Sequence, residues 1–354
     1  MPPAAELQPQ INVNGHHHAI KNTNVTMQEV YPDKFPWLSQ YPKLSDEIAL
    51  EPCDYIASAL SGGTTKALID ALNIWYDVPE KSLETIKNVI YWVFIGTMIM
   101  DDIEDYTDIR RGQPATHAVF GMPQAANSGC YSLVKGIFEA QKLSLSAVAI
   151  YHDELRELHV GQSLEIHYRF HVKCPSEAEY IQTIDGKTAG LFRMVSRLMR
   201  DQATQNKDLE VEELFTLIGR FYQIRNDYQN LNSPDYAGGN GPFADLDEGK
   251  YSLMLVHALS NQKTNLQLQS LLQQRSQQGS LTRQQKDLIM KIMAKSKSLE
   301  YAATALEDLY VEIDTKLGQI EAKLAKKGFK TSENRMIRAI MSRLRLSKPS
   351  PKAA

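Results

Sequence analysis

A long apolar stripe with helical spacing runs straight into a cluster of acids, and that junction limits what this chain can fold into. Leu83, Ile86, Val89, Ile90, Val93, Phe94 and Thr97 recur at i, i+3, i+4 and i+7, the period of a helix with one buried face. Pro79 and Glu80 suit its first turn. Then "IMDDIEDYTDIRRGQPATH" (99–117) sets Asp101, Asp102, Glu104 and Asp105 side by side, with Arg110 and Arg111 just beyond. On a helix Asp101 and Asp105 share a face. Carboxylates this close repel one another, so positive charge has to sit among them. Oxygen donors without His or Cys favour Mg²⁺, which prefers carboxylates, waters and substrate phosphates. A solvated acidic helix end is the alternative.

The helical period continues over roughly residues 45–345, alternating strand patterns are rare, and no internal repeat appears. The fold expected is therefore all-α. Residues 1–28, polar and with a His triplet at 16–18, read as a disordered arm. Residues 29–345 read as a single domain and 346–354 as a flexible tail. "SPDYAGGNGPFADLDEGK" (233–250) reads as a Gly/Pro-rich loop, the Gln-rich stretch at 262–286 as an exposed helix–turn–helix, and the basic segment from Lys326 to Lys352 as a solvated helix and tail.

Composition narrows the function classes. A formal net charge of −3 offers no basic field for nucleic acid. No apolar run reaches the roughly 18–20 residues of a membrane span. Cys53, Cys130 and Cys174 are too widely spaced for a zinc site or a disulfide framework. The expectation is a reduced, cytoplasmic protein that does not span a membrane.

A second polar cluster favours the metal reading. "FYQIRNDYQNL" (221–231) carries Gln223, Asn226, Asp227 and Asn230 at helical spacing on an otherwise apolar helix. Arg110, Arg111 and Lys187 are suited to gripping a diphosphate. Gln162, Glu165 and Arg169 form a polar stripe that reads as a cavity wall, with an exposed helix face as the alternative.

"DDIED…RRG", "GQSLEIHYR" (161–169), "GKTAGLF" (186–192), "QIRNDYQNL" (223–231) and "FADLDEGKYS" (243–252) occur here in the order of the trans-isoprenyl diphosphate synthases. Over roughly residues 50–320 the chain resembles these enzymes, fungal geranylgeranyl diphosphate synthases most of all. The resemblance implies a helical bundle around a central cavity, with three Mg²⁺ ions on an allylic diphosphate at its mouth. It implies Asp101, Asp102, Asp105, Asn226, Asp227 and Asn230 as the metal-ligand set, and Arg110, Lys187, Thr188, Gln223 and Lys250 as diphosphate contacts. Asp101, Asp102 and Lys187 would carry the ionisation. Gly96 and Thr97 would floor the prenyl cavity and leave room for a C20 chain. A homodimer is the family habit.

One departure from the family pattern, Asn226 for the first Asp of the second motif, keeps an oxygen ligand but loses its charge, and the others concern the second substrate. Gly62, Thr65 and Phe94 stand where such synthases place the Lys, Arg and His that bind isopentenyl diphosphate; Arg111 survives, Lys66 is adjacent, and Asn240 replaces a further lysine. Phe94 reads either as an aromatic face for a flat acceptor or as core packing. The altered subsite resembles that of the indole-diterpene geranylgeranyl transferases, which implies transfer of a C20 chain to an indole acceptor such as indole-3-glycerol phosphate. An ordinary geranylgeranyl diphosphate synthase, a class I terpene cyclase and a non-catalytic subunit are the competing readings.

Overall fold

A computed structural model describes residues 44–59, 63–232, 243–260 and 265–346. From Asp46 onward these belong to one compact unit. It is helical almost throughout: α1 (Glu47–Ala59), α2 (Gly63–Tyr76), α3 (Glu80–Glu104), α4 (Thr116–Phe120), α5 (Met122–Gln141), α6 (Leu145–Phe170), α7 (Glu177–Lys187), α8 (Ala189–Asp201), α9 (Glu212–Asn232), α10 (Ala244–Glu248), α11 (Leu253–Ser260), α12 (Asn265–Gln278), α13 (Arg283–Lys295), α14 (Ser298–Lys326) and α15 (Arg335–Leu344). The sole sheet among the described residues is a two-residue antiparallel ribbon, β1 (Ile109–Arg110) with β2 (Gln113–Pro114). The all-α expectation holds.

Local chemistry sets the helix starts. Ser144 accepts from the Ala147 N–H and opens α6. Ser176 with Glu179, and Thr282 with Gln285, form reciprocal capping boxes on α7 and α13. The Gln-rich stretch thus becomes two helices with a turn between them.

α3 is long and apolar enough to cross a bilayer by length and composition, which corrects the reading that no segment is. Here it is a core helix. Ile86, Val89, Val93 and Ile99 are buried, and its end carries the acids. Trp75, Tyr76, Tyr151, Phe215 and Phe221 fill the rest of the interior.

The basic C-terminal segment is more than a solvated helix. Ile337 and Met341 of α15 are buried, Asn334 Nδ2 donates to Ala71 O at 2.8 Å, and Trp75 Nε1 donates to Ser332 O at 3.0 Å. Residues 1–28, 233–242 and 347–354 lie outside the described residues, so the readings placed on them are not met by the structure. The described end of the 233–250 stretch is the short helix α10 rather than loop.

Glycines let the site-bearing helices touch backbone to backbone. A Cβ on Gly161 of α6 would lie 2.1 Å from Lys187 N and 2.7 Å from Gly186 C of α7. That contact delivers Lys187, the last residue of α7, to the carboxylates.

Candidate active site

α3 ends where its acids begin to do something else. Asp105 caps it and its N–H returns to Asp101 O at 2.8 Å. Tyr106, Arg111 and Gly112 adopt left-handed backbone (φ 56°, 51° and 80°), which folds the β1–β2 ribbon back over the helix end. Arg110 Nε donates to Asp102 Oδ1 at 2.7 Å, and Nη2 donates to Asp101 Oδ2 at 3.3 Å.

Lys187 closes the cluster from the other side. Its Nζ lies 2.5 Å from Glu165, 2.9 Å from Asp101 and 4.0 Å from Asp105. Arg169 pairs with Asp105 at 2.7 Å, and Gln162 donates to Glu104 at 2.8 Å. Of the polar stripe of α6, Gln162 lines the cavity, while Glu165 and Arg169 stand behind it, paired to Lys187 and Asp105.

The opposite wall comes from α9 and the turn after it. Asp227, fully buried, accepts from Gln223 Nε2 at 2.7 Å, Lys250 Nζ at 2.9 Å and Tyr180 Oη at 3.1 Å. Thr188 Oγ1 donates to Gln223 Oε1. Asn230 Oδ1 accepts from the Asp245 N–H at 3.3 Å.

Between the walls lies a cavity of about 390 Å³, within the range of small-molecule sites. Asp101, Asp105, Arg110, Lys187, Asn226 and Lys250 face into its polar end; Phe94, Met98, Leu133, Leu158, Phe192 and Tyr222 line the apolar remainder. The Phe192 and Tyr222 rings sit 5.5 Å apart, tilted.

Most of the residues expected at the site converge on this cavity. Arg111, Thr188, Gln223, Asn230, Phe94, Thr97 and Thr65 all line it. Asp102 and Asp227 do not: they are wholly buried one layer behind, paired to Arg110 and Lys250. Lys66 is exposed and off the wall. Gly62 and Asn240 lie outside the described residues. Gly96 corrects an expectation. It faces α5 rather than the cavity, and a Cβ there would sit 2.9 Å from Gly129 O and from Leu133 Cδ2. Gly96→Phe should therefore unfold the α3–α5 contact, at a cost of about 3 kcal/mol or more, instead of shortening the chain accepted. Thr97→Phe is the variant expected to fill the cavity. Relative turnover of C10, C15 and C20 allylic diphosphates, with melting temperature alongside, checks both.

Sequence reasoning passed over Asp245, Glu248 and Tyr180. The first two stood inside the quoted "FADLDEGKYS"; their spacing, three apart on a short helix, was the available signal.

Carboxyl groups outnumber cations at the site. Five acids line it (Asp101, Glu104, Asp105, Asp245 and Glu248), and Asp102, Glu165 and Asp227 stand directly behind. Against these eight are five cations: Arg110, Arg111, Lys187, Lys250 and Arg169. The strain falls unevenly. Burial pushes Asp101 up, but Lys187 and Arg110 outweigh it and hold its carboxyl well below the usual range. Burial raises Asp102 to about 6 against the pull of Arg110. Burial, with Asp101 adding to it, raises Asp105 well above the ordinary carboxylate value. Burial also takes Asp245 to about 8. Lys187 moves the other way: burial would lower it, yet Asp101, Glu165 and Asp105 keep it firmly protonated.

That donor set fits Mg²⁺. It is oxygen-only, its carboxyl groups outnumber its cations, and Asp245 Oδ2, on the cavity wall, is buried without a hydrogen-bond partner. Among the described residues no three His, Cys, Asp or Glu side chains converge on one point. Lysine and arginine stand between the acids instead.

Residues 46–290 match the family model described as polyprenyl synthetase. The chain is 40% identical over 309 residues to preasperterpenoid A synthase of Talaromyces verruculosus, covering 87% of this chain and 39% of that protein. It is 38% identical over 302 residues to ophiobolin F synthase of Aspergillus clavatus (81% and 42%). It is 37% identical over 309 residues to a bifunctional sesterterpene synthase of Talaromyces wortmannii (86% and 40%). The chain spans about two fifths of the length of these curated relatives. Their names are those of terpene synthases, which corrects the reading of an indole-accepting geranylgeranyl transferase.

Proposed function

The chain belongs to the polyprenyl synthetase family, and we propose that it ionises an allylic diphosphate and lets the resulting cation react within its own prenyl chain, as a class I terpene cyclase does. The observation that carries this reading is one cavity lined both by the charged cluster at the end of α3 and by apolar side chains from the turns before it and from α5, α6, α8 and α9.

In this reading Arg110, Lys187 and Lys250 grip the diphosphate, while Asp101, Asp105, Asn226 and Asn230 hold Mg²⁺, three ions in the full complement. Bound Mg²⁺ would neutralise the diphosphate as a leaving group. The surplus of carboxyl groups over cations supports this assignment, because metal binding would draw those that the site holds protonated into their charged, ligating form. Arg110 and Lys187 are held in place by Asp101, Asp102 and Glu165, so their charge is already aimed at the mouth before negative charge develops there. Leu158, Phe192 and Phe94 exclude water from the cation, and the faces of Phe94, Phe192 and Tyr222 favour positive charge.

A second reading, condensation with isopentenyl diphosphate, draws support from Arg111 and the start of α2 on the cavity wall. Against it, Thr65 and Phe94 line the cavity where the resembled synthases place charged or basic groups; each missing charged contact to a phosphate is worth roughly 1.5–3 kcal/mol.

Incubating the purified protein with Mg²⁺ and C10, C15 or C20 allylic diphosphate separates the two. A hydrocarbon or terpene alcohol formed from a single substrate is the expected result. Longer diphosphates, formed only when isopentenyl diphosphate is added, would favour condensation. Intact substrate in every tube would overturn both.

A further inference from the structure

The acid-bearing turn on the far wall has little internal reason to keep its shape. α10 is five residues long, too short to be stable by its own hydrogen bonds. Left-handed residues bracket it: Phe243 at φ 62° and Gly249 at φ 72°. Yet this turn delivers Asp245, Glu248 and Lys250 to the cavity.

Its remaining acid, Asp247, points elsewhere and is gripped from three directions. Arg275 Nε of α12 donates to Asp247 O. The Leu281 N–H donates to Oδ1 at 3.2 Å. Lys286 of α13 pairs with Oδ2. Arg275 also fills the space beside Gly249, its Nη1 lying 3.0 Å from where a Cβ would be. On the cavity side, Glu248 accepts from Thr107 Oγ1 at 3.2 Å, tying the turn to the end of α3. Among the described residues neither α12 nor α13 contributes to the cavity lining, and this grip links the Gln-rich pair to the site.

We propose that Asp247, Arg275 and Lys286 are positioning residues: a clamp through which α12 and α13 hold the turn that presents Asp245, Glu248 and Lys250 to metal and diphosphate. The ligand named here rests on the function proposed above; the clamp itself rests on the contacts.

Three variants of the full chain test it: Lys286→Met, Arg275→Gln and Asp247→Asn. Each is titrated with Mg²⁺, first alone and then with inorganic diphosphate, and hydrogen exchange is followed over residues 243–250. Lys286→Met discriminates most sharply. Removing a cation near an acidic site should tighten Mg²⁺ binding if charge alone mattered. A clamp predicts the opposite, a loss of at least about tenfold, as for other residues that orient metal ligands, with faster exchange across the turn and an unchanged melting temperature. Pairing Lys286→Met with Asp247→Asn should cost little more than the worse single change, because both break one contact. Mg²⁺ binding at or above the level of the unmodified protein in Lys286→Met, with exchange unaltered, would overturn the clamp. If the unmodified protein binds neither Mg²⁺ nor diphosphate, the functional reading fails. Exchange over 243–250 then decides the clamp alone: faster in the variants supports it, unchanged refutes it.

Discussion

Asp101→Ala should abolish turnover of any allylic diphosphate, by at least about 1000-fold, while leaving the protein folded. Asp101 is the acid that touches both cationic arms of the mouth: Lys187 at 2.9 Å and Arg110 at 3.3 Å. It also faces the cavity, as Asp102 and Asp227 do not. Removing it would delete a ligand that the proposed function assigns to Mg²⁺ and would release Lys187 toward Glu165 and Asp105. Folding should tolerate the change because the side chain is partly exposed and its neighbours keep other partners. Asp102→Ala should behave differently. That carboxylate is wholly buried and holds Arg110 from behind, so its loss should cost stability as well as activity. Product formation with Mg²⁺, read beside the melting temperature, distinguishes the two. Retained turnover in Asp101→Ala would place the metal elsewhere.

How far the sequence leads depends on which physical rule governs each residue. Helical periodicity is local, so Leu83 to Thr97 declares a helix, and the acids at its end announce a site. Convergence is not local. Nothing in "RRG" says that Arg110 folds back on Asp102; that depends on left-handed backbone at Tyr106, Arg111 and Gly112. Which acids face the cavity is also decided by packing. Asp101 and Asp102 are neighbours in sequence, yet a helix turns about 100° per residue, and only the first reaches the lumen. Gly96 shows the same limit. Its place before the acids suggests a cavity floor, but it faces α5, where a missing side chain admits Leu133. Leu133 lines the cavity itself, so Gly96 shapes the lumen at one remove.

The acceptor was misread for a related reason. Loss of cations from a phosphate subsite has more than one physical consequence. It suits an uncharged or less charged acceptor, and it equally suits a reaction with no second substrate. Phe94 on the wall is compatible with either. Kinship with terpene synthases tilts the reading to the second, because a cation that folds back on its own chain needs shielding walls and a final loss of a proton or capture of water, but no second prenyl substrate.

Gly161→Ala should be the most damaging added methyl group among the described glycines. Its Cβ would lie 2.1 Å from Lys187 N, 2.7 Å from Gly186 C and 2.8 Å from Thr183 O. All three are backbone atoms, so no rotamer can move aside. α6 and α7 would have to separate, and Gly186, where an added Cβ would lie 2.7 Å from Glu157 O, leaves no slack. The expected cost is about 3 kcal/mol, read as a melting temperature lower by roughly 5 °C or more. Molecules that still fold should also lose activity, because the displaced end of α7 carries Lys187 away from Asp101 and Glu165. Gly318→Ala is the control. It is the same substitution within a helix, with nothing within 4 Å of the new carbon, and there alanine should stabilise by about 0.5–1 kcal/mol. Opposite signs for one chemical change would show that α6 and α7 meet backbone to backbone, and that this contact sets the lysine of the mouth. A harmless Gly161→Ala would mean that the helices stand apart and that Lys187 is placed by other means.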